Sequence, residues 1–127
     1  MAVIGVGVDV VPVERVEQLL DRHGARALRR LFTTKELARA ETFAHRGLHL
    51  AGRLAAKEAA YKALSAEGAD TGISWRHLEI ERLDDGRPQL VLHGPARQRF
   101  DALGATRAHL SLSHDGGIAA AIVILER

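Results

Sequence analysis

The sequence predicts an α+β fold, an antiparallel sheet with helices packed on one side. Three observations predict it. Runs rich in β-branched and apolar residues occur at both ends of the chain and between Leu78 and His93. Turn signals, Asp84-Asp85-Gly86-Arg87 and Asp115-Gly116-Gly117, join such runs into hairpins, which make antiparallel neighbours. The intervening stretches carry apolar residues at helical spacing.

Taken in order, Val3 to Val11 reads as a strand in which Gly5 and Gly7 alternate with Val and Ile, and Pro12 ends it. Val13, Val16, Leu19 and Leu20 set a helical face over Val13 to His23. Gly24 breaks or bends that helix before it continues from Ala25 to Leu31. Thr33-Thr34-Lys35-Glu36 is a capping box that starts another helix. Leu48 to Ala66, dense in Ala, Leu, Lys and Glu and free of proline, is the strongest helix. After a loop through Gly72, Leu78 to Leu83 and Gln89 to His93 read as strands. Gly94-Pro95 opens a helix that runs to about Leu103. His109 to Ser113 and Ile118 to Leu125 form the last hairpin.

The chain has 127 residues, enough for one domain over 1–127 and too few for two. It is 46% hydrophobic and 27% charged, a globular profile, and with 4% aromatics its core must be mostly aliphatic. It has no cysteine, which excludes disulfides, thiolate zinc sites and cysteine nucleophiles. The N-terminus lacks the pattern of a signal peptide, and the longest apolar stretch, Ile118 to Leu125, is too short to span a membrane. A cytoplasmic address is expected. The net charge of +2 says little, but Arg22 to Arg30 holds four arginines and no acid, which points to an acidic or polyanionic partner.

The candidate site residues each have an ordinary reading beside a functional one. Asp9 sits in an apolar strand on the face of Gly7 and Val11, and a buried carboxylate needs a partner or a metal. Its ordinary reading is a sheet-end carboxylate bonded to backbone or water. Glu58 and Lys62, four apart, read as a solvent-facing ion pair or, given the apolar face they share with Leu54, as part of a site. His114 and Asp115 read as turn residues or as a phosphate donor and proton carrier. If the helix is nearly continuous across Gly24, Arg15, Arg22, Arg26 and Arg29 line one side of it, either as a solvated face or as a dock for an acidic helix or phosphates. Phosphate-loop, nucleophile-elbow and zinc-helix motifs are absent.

Taken together, Ile4-Gly5-Val6-Gly7-Val8-Asp9, the helix from Ala51 to Leu64 around Lys57-Glu58-Ala59, and Leu110-Ser111-Leu112-Ser113-His114-Asp115 resemble the holo-acyl-carrier-protein synthases. These are short members of the phosphopantetheinyl transferase superfamily, and the resemblance runs from end to end. It implies a magnesium-dependent transfer of the phosphopantetheine arm of coenzyme A to a serine of acyl carrier protein, by a homotrimer with sites between subunits. Asp9 and Glu58 would bind Mg2+. Lys62 would contact the coenzyme phosphates, with Arg53, Gly86, Pro88 and His114 along the nucleotide. Glu58 is the candidate base and His114 its competitor. Arg15, Arg22, Arg26 and Arg30 would dock the acidic carrier. Family members often carry an aromatic residue in that basic helix; Ala27 and Leu28 stand there in this chain, a difference that bears on carrier choice. The other reading is a non-catalytic basic module that holds an acidic protein. Nucleic acid is disfavoured, because no basic surface with interleaved aromatics is present.

Overall fold

The computed structural model describes residues 1–65 and 71–127. The end of the predicted long helix at Ala66, and most of the loop that follows it, lie outside the described residues. Strand β1 (Val3–Pro12) leads into helix α1 (Val13–Leu31), α2 (Thr34–Ala40) and α3 (Arg46–Leu64). A short 3-10 turn (Trp75–His77) then precedes β2 (Leu78–Arg82) and β3 (Pro88–Leu92). Helix α4 (Pro95–Ala102) and the hairpin β4 (Arg107–Asp115) and β5 (Ile118–Glu126) complete the chain.

The fold is α+β with antiparallel pairing throughout, as expected, but the strands divide between two sheets. β5 lies between β1 and β4 in a three-stranded sheet, and among the described residues β2 and β3 pair only with each other. Asp9 is opposite Ala121 and Val8 opposite Ile122, so β1 and β5 share inner and outer faces. The inner face, with Val11, Ala119, Ala121, Val123 and Leu125 buried, packs on α3. The core is aliphatic apart from Phe32 and Phe100.

Two glycines set the depth of that packing. A Cβ on Gly7 would collide with the carbonyl of Ala59, and one on Gly5 with the carbonyl of Ala63. Neither glycine has positive φ, so the demand is for space, not for a backbone conformation. The strand therefore lies directly on the helix backbone, with Ala55, Ala56, Ala59 and Ala60 all fully buried beside it.

The local signals hold. Thr33 Oγ1 accepts the Glu36 N–H at 3.2 Å, and Glu36 Oε1 accepts the Thr33 N–H at 2.8 Å. Gly24 breaks α1 with φ 53° and ψ −136°, values that glycine alone adopts at low cost. The arginines of α1 are therefore carried on two helical pieces, and the expectation of one continuous stripe is corrected. The last hairpin is also tighter than expected. His114 pairs with Ala119 and Asp115 with Ile118, which leaves Gly116-Gly117, both at positive φ, as a two-residue turn. His114 and Asp115 are thus strand residues, not turn residues.

Gly7→Ala is expected to lower stability by about 1–3 kcal/mol, the usual range for overpacking. Gly52→Ala on α3, where a Cβ meets no atom within 4 Å, is expected to be neutral or to stabilise by up to about 1 kcal/mol. Urea denaturation of the two variants side by side separates the packing effect from a general intolerance of alanine.

Candidate active site

The close contact of β1 with α3 brings Asp9 to Lys62 and Glu58. Lys62 Nζ donates to Asp9 Oδ1 at 2.9 Å and to the Val8 carbonyl at 3.0 Å. The Asp9 side chain is 15% exposed and that of Lys62 55%, so the lysine reaches in from solvent. Lys62 is paired with Asp9, 53 residues away in sequence, and forms no ion pair with Glu58. The ordinary helix ion pair is thereby set aside.

Oδ2 of Asp9 is buried and meets no donor among the described residues. Its neighbour on α3 is a second carboxyl, Glu58, near enough for each group to shift the other. Burial raises Glu58, the hydrogen bond and charge of Asp9 raise it further, and together they push it up to about 7. For Asp9 the largest influence, burial, acts upward. The hydrogen bonds from Glu58 and Lys62 and the lysine's charge outweigh it and hold Asp9 below its ordinary value. Two carboxyls this close are satisfied only when they share a proton or a cation. Among the described residues no third His, Cys, Asp or Glu joins them, so the pair suits a hard cation that takes its other ligands from water and substrate oxygens. Arg15, at the start of α1, acts on Glu58 through its charge, so it stands at the edge of this site as well as in the basic helix.

The remaining predicted residues lie elsewhere on the chain. Arg53 and His114 line a mostly apolar cleft of about 390 Å³ with Phe43, His49 and Leu112. Arg53 is 8% exposed and has no ion pair among the described residues. Pro88 lines a separate groove with Arg87, His109 and Ser111, next to the turn that carries Gly86 at φ 91°. Among the described residues no hydrogen bond or ion pair joins His114 to Asp9, Glu58 or Lys62. Arg26 and Arg30 line a groove beside Trp75.

Sequence reasoning missed two features. Lys57 is wholly buried and bonded to Glu36 at 2.6 Å, to the Leu78 carbonyl at 2.8 Å and to the Trp75 carbonyl at 2.9 Å. Its neighbour in sequence, Glu58, faces Asp9, whereas Lys57 ties α3 to α2 and to the segment around β2. His49 stacks on Phe43 at 4.1 Å, and burial together with Arg53, Arg39 and Arg82 depresses its pKa to about 4. Only the alanine- and leucine-rich composition of α3, apolar around most of its circumference, could have signalled either.

Residues 5–123 match the family model described as the 4'-phosphopantetheinyl transferase superfamily. A holo-[acyl-carrier-protein] synthase of Alkalilimnicola ehrlichii is 48% identical over 98% of this chain and 97% of that protein. The crystal structure of the corresponding synthase from Neisseria meningitidis superposes with TM-score 0.89 at 28% identity, over 99% of this chain and 100% of that one. The Helicobacter pylori enzyme, solved in complex with coenzyme A, gives TM-score 0.81 at 26% identity over 95% and 99%. Fold, site and likeness agree: the chain belongs to the 4'-phosphopantetheinyl transferase superfamily, among the holo-[acyl-carrier-protein] synthases.

Proposed function

We propose that the chain transfers the phosphopantetheine arm of coenzyme A to a serine of apo acyl carrier protein, as a single domain over 1–127. The observation that carries the reading is the Asp9, Glu58 and Lys62 cluster on this scaffold. In the reaction the serine Oγ forms a phosphoester bond and a diphosphate P–O bond breaks. The electron pair leaves with adenosine 3',5'-bisphosphate. A non-catalytic basic module would leave the paired carboxyls without a purpose.

Asp9 and Glu58 would hold Mg2+, which suits two carboxylates with several positions left to water and phosphate oxygens. Bound there, Mg2+ would screen the diphosphate charge and polarise the bond that breaks. Glu58, poised near neutrality, is the group we assign to take the serine proton at its carboxylate. The Lys62 ammonium would neutralise charge gathering on the departing bisphosphate. His114 is left a place in the nucleotide cleft with Arg53, and Gly86 and Pro88 a place at the separate groove. Arg22, Arg26 and Arg30 would dock the carrier, with Arg15 nearest the chemistry.

Those clefts are separate on one chain, which supports sites assembled between the subunits of a homotrimer. The outer face of the sheet supports the same reading. Val6, Val8 and Val10 are 55%, 58% and 52% exposed there, next to Ile118 and Ile122, an apolar surface that calls for a partner. No helix among the described residues is long and apolar enough to cross a membrane, and a cytoplasmic site of action fits the carrier substrate.

Incubated with coenzyme A, Mg2+ and apo carrier, the protein should add one phosphopantetheine mass to the carrier, and chelator should prevent it. Asp9→Ala and Glu58→Ala should each abolish transfer with the circular dichroism spectrum retained. Full activity in either variant counts against the carboxylate pair.

The pH dependence has a fixed sign. Glu58 has its pKa raised on folding, so its contribution to stability is full below its ordinary value of 4.5 and is lost as pH rises through about 7. The urea midpoint of the cation-free protein should fall over that window, and Glu58→Gln should flatten the fall. Millimolar Mg2+ should restore stability on the alkaline side, where it no longer competes with the proton. Val8→Lys should convert the assembly to monomers by light scattering and remove transfer with it. A trimer that survives this charge would place the interface elsewhere.

A further inference from the structure

This inference rests on the reading of the chain as a coenzyme-binding transferase and concerns what gives the groove beside Pro88 its width. That groove, of about 470 Å³, has its walls on different elements: Arg87, Pro88 and Gln89 on the β2–β3 hairpin, and His109, Ser111 and Leu112 on β4. Among the described residues no ladder joins β3 to β4, so no backbone pairing sets the distance between the walls. The inner strand of the hairpin is held directly. The Ile80 N–H of β2 donates to Glu36, and the Leu78 carbonyl accepts from Lys57. β3, the strand beside β4, has no such bond to a helix among the described residues, and a two-stranded ribbon twists readily.

Glu79 supplies the tie that β3 lacks. It is 5% exposed, and its two oxygens reach different elements. Oε2 accepts the hydroxyl hydrogen of Thr33, at the start of α2, and Oε1 meets His93 Nε2 at 3.0 Å, just past the end of β3. Burial acts to raise Glu79. The hydrogen bonds of Thr33 and His93, with the charges of His93 and Lys35, outweigh it and hold Glu79 below its ordinary value. It is therefore a carboxylate at neutral pH, which only accepts, so both neighbours must donate. That places a hydrogen on His93 Nε2. It also uses the one hydroxyl hydrogen of Thr33, whose oxygen still accepts the Glu36 N–H. None of the three residues lines the groove.

We propose that Glu79, clasped between Thr33 and His93, is a positioning residue that sets the stance of the β2–β3 hairpin against β4, and so the width of the groove that receives the coenzyme. It touches neither the coenzyme nor the reacting atoms. Asp9, Glu58 and Lys62 stand on β1 and α3, outside the hairpin. Loosening the clasp therefore acts on coenzyme binding and leaves the chemical step alone.

His93 is the safe point of attack, because its side chain is 49% exposed. His93→Leu removes a donor, His93→Gln keeps one, and Glu79→Gln removes the carboxylate. His93→Leu should raise KM for coenzyme A roughly tenfold, the scale of one hydrogen bond to a charged group. The turnover number kcat and the carrier KM should be unchanged, and His93→Gln should recover most of the loss. Glu79→Gln should move the coenzyme KM in the same direction. Amide hydrogen exchange in β2 and β3 should quicken in His93→Leu while that in α3 does not. A coenzyme KM that stays fixed although the hairpin exchanges faster overturns the proposal, as does a fall in kcat with KM unchanged. Equal losses in His93→Leu and His93→Gln overturn it too, since the ring's packing and not its donated hydrogen would then be at work. If the unaltered enzyme transfers normally while all three variants match it, the clasp alone is wrong. If the unaltered enzyme neither binds coenzyme A in calorimetry nor transfers from it, the functional reading falls and takes the positioning role with it.

Discussion

The contact of bare backbone on bare backbone, β1 against α3, is the constraint on which the rest of the structure depends. It exists because Gly5 and Gly7 have no Cβ where the carbonyls of Ala63 and Ala59 lie. A strand on a helix is ordinarily held off by two layers of side chains. Here one layer is missing from the strand, and the helix contributes only alanine methyls. The seam between them is lined by glycine and alanine, so polar groups at its edge are partly desolvated and lean on one another. Asp9 is the next inward residue after Gly7 on β1, and Glu58 precedes Ala59 on α3. The two carboxyls meet because the glycines and alanines around them let the backbones meet.

The second constraint is the buried pair Lys57 and Glu36. Glu36 accepts from the Thr33 N–H, the Ile80 N–H and Lys57, and so ties the start of α2 to β2 and to α3. Lys57 adds bonds to the Leu78 and Trp75 carbonyls. Burial alone would drive the proton off Lys57, and the charge of Glu36 opposes this. Breaking such a pair by removing one partner costs on the order of 3–5 kcal/mol, because the other charge is left buried. Among the described residues the β2–β3 hairpin has no strand partner in the main sheet, so this knot, with Thr33 Oγ1 donating to Glu79 at 2.5 Å, substitutes for sheet hydrogen bonding in fixing it.

Most of the element order was legible because its signals are local. The capping box at Thr33, the proline after Gly94 and the paired turns depend on residues a few positions apart, and each held to within one to three residues. The Asp9, Glu58 and Lys62 cluster was legible only through likeness to a family, since no local rule joins residues about 50 apart. The pairing of Lys62 with Asp9 and the burial of Lys57 were hidden for one reason. Helical spacing says which residues share a face but not what that face meets. The function of Gly5 and Gly7 was hidden as well. Alternating glycines in a strand read as a weak strand until the helix lying on them is seen.

Lys57 and Glu58 show how one helix divides structural from chemical work. Adjacent residues project about 100° apart around an α-helix, so the two charges enter different surroundings. Lys57 meets a carboxylate and two carbonyls that together meet its donors, and a charge so fully matched has nothing left to offer a ligand. Glu58 meets another carboxyl, an arrangement that stays incomplete until a proton or a cation enters it. Lys62, one turn further on, matches one oxygen of Asp9 and leaves the other bare. The fold gives Lys57 a full set of partners, gives Asp9 one ammonium at a single oxygen and sets Glu58 against another carboxyl. An arrangement that a proton or a cation would complete arises where the packing brings two carboxyls together with one lysine between them.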